Sequence, residues 1–427
     1  MTIKNGSIFI QIASYRDPEL RPTLKDLIAK ADNPDRLHIC VCWQHAPLDE
    51  WDHIEEFKDD KRFTFIDVDY LDSQGTCWAR NLIQQHYNGE DYTLHLDSHH
   101  RFAKGWDSEC IRMIKQLQKK GHKKPLLTAY IPSYDPQNDP KGRINEAWKL
   151  SFDRFSPEGV LFTIPETIDD WKERSEPIPS RFFSAHFCFT LGIFCKEVQH
   201  DPQYYFHGEE IALAVRAYTH GYDLFHPNKV VIWHEYTRDG KAKQWDDDPV
   251  WEEKNLRTFR RLRMLLGIDG TPCSPCAQKQ LEPYTLGTER TLAEYERYAG
   301  VRFEDRSVQT HTLQKLDLPC PEVEDYENSF HSFFRHCIDI HIDNITEDDY
   351  EFWVVAFLDE NGEDLFRLDA DENEVQTLIE QGKNNKGWIN LWRQYTGPVP
   401  AKWRVWPFSK SKEWCERLEG DINIAPV

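Results

Sequence analysis

Short apolar stretches alternate with amphipathic helical patterns over roughly the first two thirds of the chain. Apolar runs predict strands at residues 7–13, 37–43, 63–69, 92–96, 126–131, 182–192, 222–225 and 230–234. Apolar positions three or four residues apart predict helices near residues 18–31, 75–87, 105–120, 206–218, 251–266 and 291–298. Strands that alternate with helices predict a parallel α/β sheet, whose ligands bind beyond the carboxyl ends of the strands.

One of these strands, at residues 92–96, ends in polar residues that suit a metal ion. Its apolar and polar positions alternate as far as Leu96, and Asp97, Ser98 and His99 follow directly. Side chains two apart on an extended chain point the same way, so Asp97 and His99 can face one point. A carboxylate and an imidazole suit a borderline divalent ion such as Mn²⁺. The alternative is that Asp97 caps the next helix and the histidines lie on the surface.

Other candidate residues lie at helix starts and at a strand end. Arg80 and the first amides of its helix can face an anion, or they form an ordinary helix start. Glu209 and Glu210 open another helix, where the helix dipole alone favours acidic residues. His234 ends an apolar strand. It is either an ordinary residue of the core or its rim, or the further ligand that a metal at Asp97 and His99 needs.

The pattern changes after Pro319, where a second proline and several acidic residues indicate a linker. Beyond it, strands are predicted at 337–342, 352–358 and 365–368, with Asn361 and Gly362 as a hairpin turn and a helix at 372–380. We therefore expect a catalytic domain at residues 1–315 and a small β-rich domain at 316–427. The tryptophans of the second domain form either its core or a platform for a carbohydrate or peptide acceptor.

The charge balance narrows the class of partner. The 427 residues carry a formal net charge of −21, which argues against nucleic acid and anionic membranes as partners. The dense basic run at residues 119–124 falls at a predicted helix end, where cations are favoured. No secretory signal or apolar run of transmembrane length is found, and eleven cysteines without an export signal lead us to expect a reducing, cytoplasmic setting.

Two further segments have less specific patterns. Residues 236–248 are polar and charged, include Arg238 and Trp245, and predict a mobile loop that can act as a lid. Cys273 and Cys276 have the spacing of a metal or redox pair, but no second pair with partner spacing accompanies them. This favours a structural or incidental role for the two cysteines.

Seven motifs in a fixed order resemble those of a known family. They are residues 12–19 (IASYRDPE), 75–80 (GTCWAR), 96–99 (LDSH), 208–210 (GEE), 221–225 (GYDLF), 234–236 (HEY) and 290–295 (RTLAEY). This order resembles the cytoplasmic-type polypeptide α-N-acetylglucosaminyltransferases, the family of the Skp1 hydroxyproline GlcNAc-transferase. The Asp-Ser-His, Gly-Glu and later histidine motifs are also similar to those of mucin-type polypeptide N-acetylgalactosaminyltransferases. The resemblance covers residues 7–305, and the region after Pro319 has no counterpart in it.

The resemblance implies a GT-A type glycosyltransferase fold, a UDP-sugar donor and retention of configuration at the anomeric carbon. It implies that Asp97 and His99 bind Mn²⁺ and that His234 is the third protein ligand. Because His100 follows His99 directly, His100 is the alternative to His99 in this motif. Glu209 or Glu210 would contact the donor sugar or the reacting face. The expected donor-binding residues are Ala13, Ser14, Tyr15, Arg16, Arg80, Ser98 and Arg238.

The leading hypothesis is a metal-dependent enzyme that transfers GlcNAc from UDP-GlcNAc to a serine, threonine or hydroxyproline hydroxyl of a protein or peptide. One alternative keeps the fold but changes the sugar or uses a glycan acceptor. Another is a non-catalytic carbohydrate- or peptide-binding protein. For the reaction we favour attack by the acceptor from the leaving-group face, because the sequence offers no unambiguous carboxylate nucleophile, although Glu209 and Glu210 are candidates.

Overall fold

A computed structural model describes residues 5–156, 158–237, 240–271 and 279–422 of the chain. The strands of the first region are β1 (Ile8–Tyr15), β2 (Leu37–His45), β3 (Phe63–Asp69), β4 (Tyr92–Leu96), β5 (His100–Phe102), β6 (Pro125–Thr128), β7 (Trp148–Phe155), β8 (Leu161–Thr167), β9 (Ile178–Pro179), β10 (Phe187–Leu191), β11 (Asp223–His226), β12 (Ile232–His234), β13 (Val301–Arg302) and β14 (Ser307–Gln309). The helices there are α1 (Leu20–Lys30), α2 (Glu55–Lys58), α3 (Thr76–Gln84), α4 (Trp106–Lys119), α5 (Phe194–Glu197), α6 (Glu209–Thr219), α7 (Gln244–Asp247), α8 (Trp251–Leu266), α9 (Leu292–Ala299) and α10 (Thr310–Leu313).

The main sheet is mixed and has the strand order β3-β2-β1-β4-β10-β6-β11-β9. Its first four strands are parallel to one another, and β6 is parallel to β11. The prediction of an α/β fold with a Rossmann-like mixed sheet is confirmed. The simpler expectation of a parallel sheet fails at β10, which runs antiparallel between β4 and β6, and at β9.

The central strand β1 shows why the sheet has helices on both faces. Ile8, Ile10 and Ile12 are buried and belong to one core with helices α1 and α4. The intervening Phe9 points to the opposite face and packs in the core that contains Ala79 and Ile83 of α3. Because side chains alternate across a strand, a continuous apolar run requires a cover on each face.

Two small sheets flank the carboxyl ends of the main strands. Strands β5 and β12 pair antiparallel, with His100 opposite His234. This pairing brings the end of the 230–234 run beside the residues that follow β4, as a third metal ligand requires. Strands β7 and β8 form a hairpin that the apolar pattern did not predict.

The C-terminal region contains β15 (Phe330–His341), β16 (Tyr350–Leu358), β17 (Asp364–Arg367), β18 (Ala370–Asp371), α11 (Glu372–Asn384), β19 (Trp388–Thr396), β20 (Lys402–Ser409), β21 (Glu413–Trp414) and β22 (Leu418–Asp421). Its β-rich character is confirmed, with one sheet of order β13-β14-β15-β19 and a second built on β16 and β20. Because β14 pairs with β15, the first sheet spans the predicted boundary at residues 315 and 316. Within the described ranges, no helix is both long and apolar enough to span a bilayer.

Candidate active site

A cavity of about 650 Å³ opens at the carboxyl ends of the central strands. The ends of β1 and β2, the residues after β4 and β12, and the first turns of α3 and α6 all contribute to it. Its lining includes Ala13, Tyr15, Gln44, Thr76, Arg80, Asp97, Ser98, His99, Tyr130, Phe162, His186, Glu209, Glu210, His234, Tyr236, Lys243 and Trp245. Most of the expected donor-binding residues therefore surround one space, at the sheet edge where ligands of α/β folds bind.

Asp97, His99 and His234 form a group that can hold a metal ion. Oδ2 of Asp97 lies 3.4 Å from Nε2 of His234 and 3.8 Å from Nε2 of His99. Oδ1 of Asp97 instead accepts a hydrogen bond from Nη2 of Arg80 at 2.7 Å. One carboxylate oxygen and two imidazole nitrogens therefore face each other, and this donor set suits a first-row divalent ion.

Asp97 remains charged although it is partly buried. Burial opposes ionisation, but the hydrogen bond with His234 and the nearby Arg80 and His99 hold the pKa of Asp97 well below its usual range. The carboxylate is thus ionised at neutral pH without a bound ion. An ionised carboxylate is the form that coordinates a metal.

Asp17 fixes the orientation of the His99 ring. Oδ2 of Asp17 lies 2.7 Å from Nδ1 of His99 and accepts a second hydrogen bond from the Ser98 hydroxyl at 2.6 Å. With Nδ1 held in this way, Nε2 faces Asp97. Asp17 precedes helix α1, whose N-cap is Glu19, and its side chain holds the loop at residues 97–99 in place.

His100 has a structural position that excludes it from the group. Its side chain is fully buried, and Nδ1 lies 3.1 Å from the main-chain oxygen of Trp233. Its Nε2 accepts a hydrogen bond from the amide of Asp97 at 3.3 Å. Burial lowers the pKa of His100 well below its usual value, so the ring is neutral and joins two strands. The sequence left open whether His99 or His100 accompanies Asp97, and the geometry favours His99.

The first acid of α6, Glu209, is engaged on both oxygens. Oε1 accepts a hydrogen bond from Nη1 of Arg80 at 2.6 Å, and Oε2 accepts one from the Cys77 thiol. Arg80 forms ion pairs with both Glu209 and Asp97. Because Arg80 is 2% exposed, a buried cation lies between the two carboxylates. Its guanidinium is committed to these partners and does not project freely toward a diphosphate.

The second acid, Glu210, lies in the cavity wall with a different environment. Its oxygens accept hydrogen bonds from the Tyr130 hydroxyl and from the amide of Ala185, each at 2.8 Å. Burial raises the pKa of Glu210 to about 7, against these two hydrogen bonds. Glu210 therefore exchanges a proton near neutral pH, as groups at functional sites often do.

His186 and Lys243 are among the cavity residues that the sequence did not single out. His186 stacks on His234 with ring centroids 4.3 Å apart, and its Nε2 lies 3.2 Å from the Tyr236 hydroxyl. Lys243 contributes a cation to the cavity from the segment just before α7. His186 lies in an apolar aromatic run and Lys243 in a charged loop, so neither has a local pattern that marks a site.

Two expected donor-binding residues that the structure describes, Ser14 and Arg16, do not contribute to this lining. The guanidinium of Arg16 forms ion pairs with Asp49 and Asp247 outside the cavity, and Ser14 is 1% exposed. Arg16 has a φ of 44°, so its backbone adopts the left-handed conformation and turns the side chain toward those acids. Arg238 lies outside the described residues, as do Cys273 and Cys276.

Three solved structures have low similarity to the chain. GalNAc-T7 with UDP, GalNAc and Mn²⁺ is 13% identical over 71% of this chain and 59% of its own, with a TM-score of 0.46. S. aureus TarS 1–349 in complex with UDP-GlcNAc is 13% identical over 60% of this chain and 72% of its own, with a TM-score of 0.36. Mannosyltransferase PcManGT from Pyrobaculum calidifontis, in complex with GDP-Man and Mn²⁺, is 11% identical over 65% of this chain and 67% of its own, with a TM-score of 0.36. The chain thus spans 59% of the length of the GalNAc-T7 structure.

A family model gives the assignment that these distant structures do not. A comparison with curated proteins gives no match. The model described as Glycosyltransferase (GlcNAc) matches residues 7–56 and 50–305, which covers most of the chain and every strand and helix that lines the cavity. The chain belongs to the Glycosyltransferase (GlcNAc) family.

Proposed function

We propose that the chain is a divalent-cation-dependent, retaining transferase that moves GlcNAc from UDP-GlcNAc to a serine, threonine or hydroxyproline hydroxyl of a protein or peptide. The observation that carries the proposal is the group of Asp97, His99 and His234 inside the cavity. The family supports GlcNAc as the sugar, and the motif resemblance supports UDP as its carrier. The nine cysteines among the described residues are all free, which supports a reducing, cytoplasmic setting.

The three ligands fit Mn²⁺ or a similar ion, because one carboxylate and two imidazoles form a mixed oxygen and nitrogen donor set. A bound divalent ion would act as a Lewis acid that stabilises negative charge on the leaving diphosphate. Asp17 holds the His99 ring in the orientation that this set needs. Lys243 adds a protein cation that can approach a phosphate across the cavity.

The contacts of the two glutamates support attack by the acceptor from the leaving-group face. Both oxygens of Glu209 are held by Arg80 and Cys77, so this carboxylate does not present a free nucleophilic oxygen. Both oxygens of Glu210 accept hydrogen bonds from Tyr130 and Ala185. We assign Glu210 the role of contacting the donor sugar and Glu209 that of holding Arg80 beside Asp97. A covalent sugar adduct on either glutamate would contradict this assignment.

Release of UDP from a panel of UDP-sugars, with and without Mn²⁺, tests the proposal. We expect release from UDP-GlcNAc that a chelator abolishes and that Asp97→Ala and His234→Ala lower at least a hundredfold. Asp343→Ala is the control, because that side chain is 85% exposed in the C-terminal region. Thermal melting checks that the variants are folded, since Asp97 also pairs with Arg80.

The outcome that contradicts the proposal is the absence of UDP release from every sugar, or release that the Asp97 and His234 substitutions leave unchanged. Release from another UDP-sugar alone would change the donor but keep the fold and the reaction. Intact-mass analysis of candidate acceptors then separates protein acceptors from glycans, since each transferred GlcNAc adds a fixed mass to the protein.

A further inference from the structure

A second cavity, of about 870 Å³, opens beside the candidate active site. The two cavities share part of their wall, which is formed by Tyr130, Glu235, Tyr236 and Thr237. The loop at residues 133–142 and Trp148 of β7 line only the second cavity. The metal group of Asp97, His99 and His234 lines only the first. The second cavity therefore adjoins the space around the metal group without being part of it.

One tyrosine ring lies between the metal group and the second cavity. The centre of the Tyr236 ring is 4.4 Å from that of His234 and 6.2 Å from that of Trp148. Tyr236 is 41% exposed, so its ring forms wall surface for a ligand. Because an extended chain rises about 3.3 Å per residue, a side chain in the second cavity lies about two to four residues along a polypeptide from a group at the metal.

The wall of the second cavity is mainly made of rings whose polar atoms are already engaged. Its tyrosine hydroxyls donate hydrogen bonds within the protein, from Tyr130 to Glu210, from Tyr134 to Glu19 and from Tyr236 to the main-chain oxygen of Ile131. The carboxylate of Glu235 is paired with Lys241 in the same way. A hydroxyl-rich ligand would exchange hydrogen bonds with water for contacts with carbon atoms, which costs free energy at each hydroxyl. An apolar side chain would lose no hydrogen bonds there.

We propose that the second cavity binds a large apolar or aromatic side chain of a polypeptide acceptor, about two to four residues from the hydroxyl that receives the sugar. The inference rests on the proposed function and adds the sequence context of its acceptor. The rings of Trp148 and Tyr236 supply the apolar contact area. Asp135 and Gln137, which are exposed in the same wall, can bond to the main chain of the peptide. These contacts favour a polypeptide over a glycan.

The test uses the full chain and twelve-residue peptides with a central threonine. In one set the other positions are alanine, glycine or serine, and in a second set one of them is phenylalanine, leucine or tryptophan. Trp148→Ala removes a ring from the cavity, and Gln137→Trp fills the cavity from an exposed loop position. The control is Trp414→Ala, a 45% exposed tryptophan of the C-terminal region, where the sequence allowed an alternative acceptor platform. Melting curves check the folding of each variant.

The readouts are peptide binding without donor, the KM for peptide and the KM for UDP-GlcNAc. We expect wild type to bind and modify peptides with a large apolar residue two to four positions from threonine about tenfold better than the small-residue set. Trp148→Ala and Gln137→Trp should each remove this preference by raising the KM for those peptides about tenfold. Trp414→Ala should keep the preference, and the KM for UDP-GlcNAc should change less than about twofold in all variants.

The inference would be overturned if wild type showed no preference for large apolar residues, or if Trp148→Ala and Trp414→Ala lost it equally. Transfer to chitotetraose but to no peptide would overturn it as well. If Trp148→Ala does not fold, the Gln137→Trp result decides alone. Peptide binding that Trp148→Ala weakens, without UDP release from any donor, would instead overturn only the proposed function.

Discussion

Asp17 and His99 are joined by a hydrogen bond of 2.7 Å between Oδ2 and Nδ1, although 82 residues separate them in the chain. Such a contact fixes the tautomer of a ligating histidine and increases its basicity. We expect Asp17→Asn to weaken Mn²⁺ binding by about ten- to a hundredfold. Titration with Mn²⁺, with the free ion followed by electron paramagnetic resonance, measures this change.

The control for this prediction is Asp52→Asn. Asp52 contacts Nδ1 of His45 at 2.8 Å in the same manner, but His45 lies outside the metal group. Equal loss of Mn²⁺ affinity in the two variants would show that Asp17 acts through general stability and not through His99.

Glu209→Gln is expected to destabilise the protein. The substitution removes one carboxylate from the buried Arg80, whose side chain is only 3% exposed. Breaking a buried ion pair costs about 3 kcal/mol or more of the free energy of unfolding, which urea denaturation measures. For comparison, Glu109→Gln breaks a pair with Arg112, a side chain 44% exposed, and should cost less than about 1 kcal/mol. A Glu209→Gln variant as stable as Glu109→Gln would contradict the arrangement around Arg80.

Glu210→Gln should change the pH dependence of stability. The folded protein has a Glu210 pKa of about 7, raised by burial, whereas the unfolded chain has an ordinary value near 4.5. Between these values the folded state retains a proton that the unfolded state has lost, so this contribution is complete below pH 4.5 and disappears as pH rises through 7. The loss amounts to about 3 kcal/mol.

Wild type should therefore lose stability relative to Glu210→Gln between about pH 4.5 and pH 8, measured by urea unfolding in the absence of metal. A difference between wild type and Glu210→Gln that does not vary with pH would mean that Glu210 titrates normally.

Lys243→Ala should weaken donor binding. The ammonium lies in the cavity wall near Trp245, and a charged hydrogen bond to phosphate contributes about 1.5–3 kcal/mol. The KM for UDP-GlcNAc should rise by roughly ten- to a hundredfold. Lys123→Ala, an exposed position beyond α4, serves as the control. An unchanged KM in Lys243→Ala would place the diphosphate away from this segment.

The sequence predicts well the parts of the molecule that local pattern determines. The alternation up to Leu96 identified β4, and the two-residue spacing of Asp97 and His99 brought both side chains to the same point. Most of the strands and helices that the sequence predicts for the first region begin and end close to their predicted bounds. These features depend on periodicity and burial within short segments.

The parts that depend on long-range packing were not predictable in the same way. The antiparallel β10 has an apolar sequence like its parallel neighbours, so its direction depends on the preceding connection. The positive φ of Arg16 and its pairs with Asp49 and Asp247 turn an expected donor-binding side chain out of the cavity. His186 enters the site only because the strand that follows it pairs with β4.

The pairing of β14 with β15 bears on how related genes can exchange their tails. Val308 lies opposite His331, so a strand encoded before residue 315 needs a strand encoded after it. A recombination event at this boundary would leave β14 without its neighbour unless the incoming tail begins with a strand that fits the same register. A tail that begins with any other segment would leave one edge of β14 exposed, so the two regions depend on each other for a complete sheet.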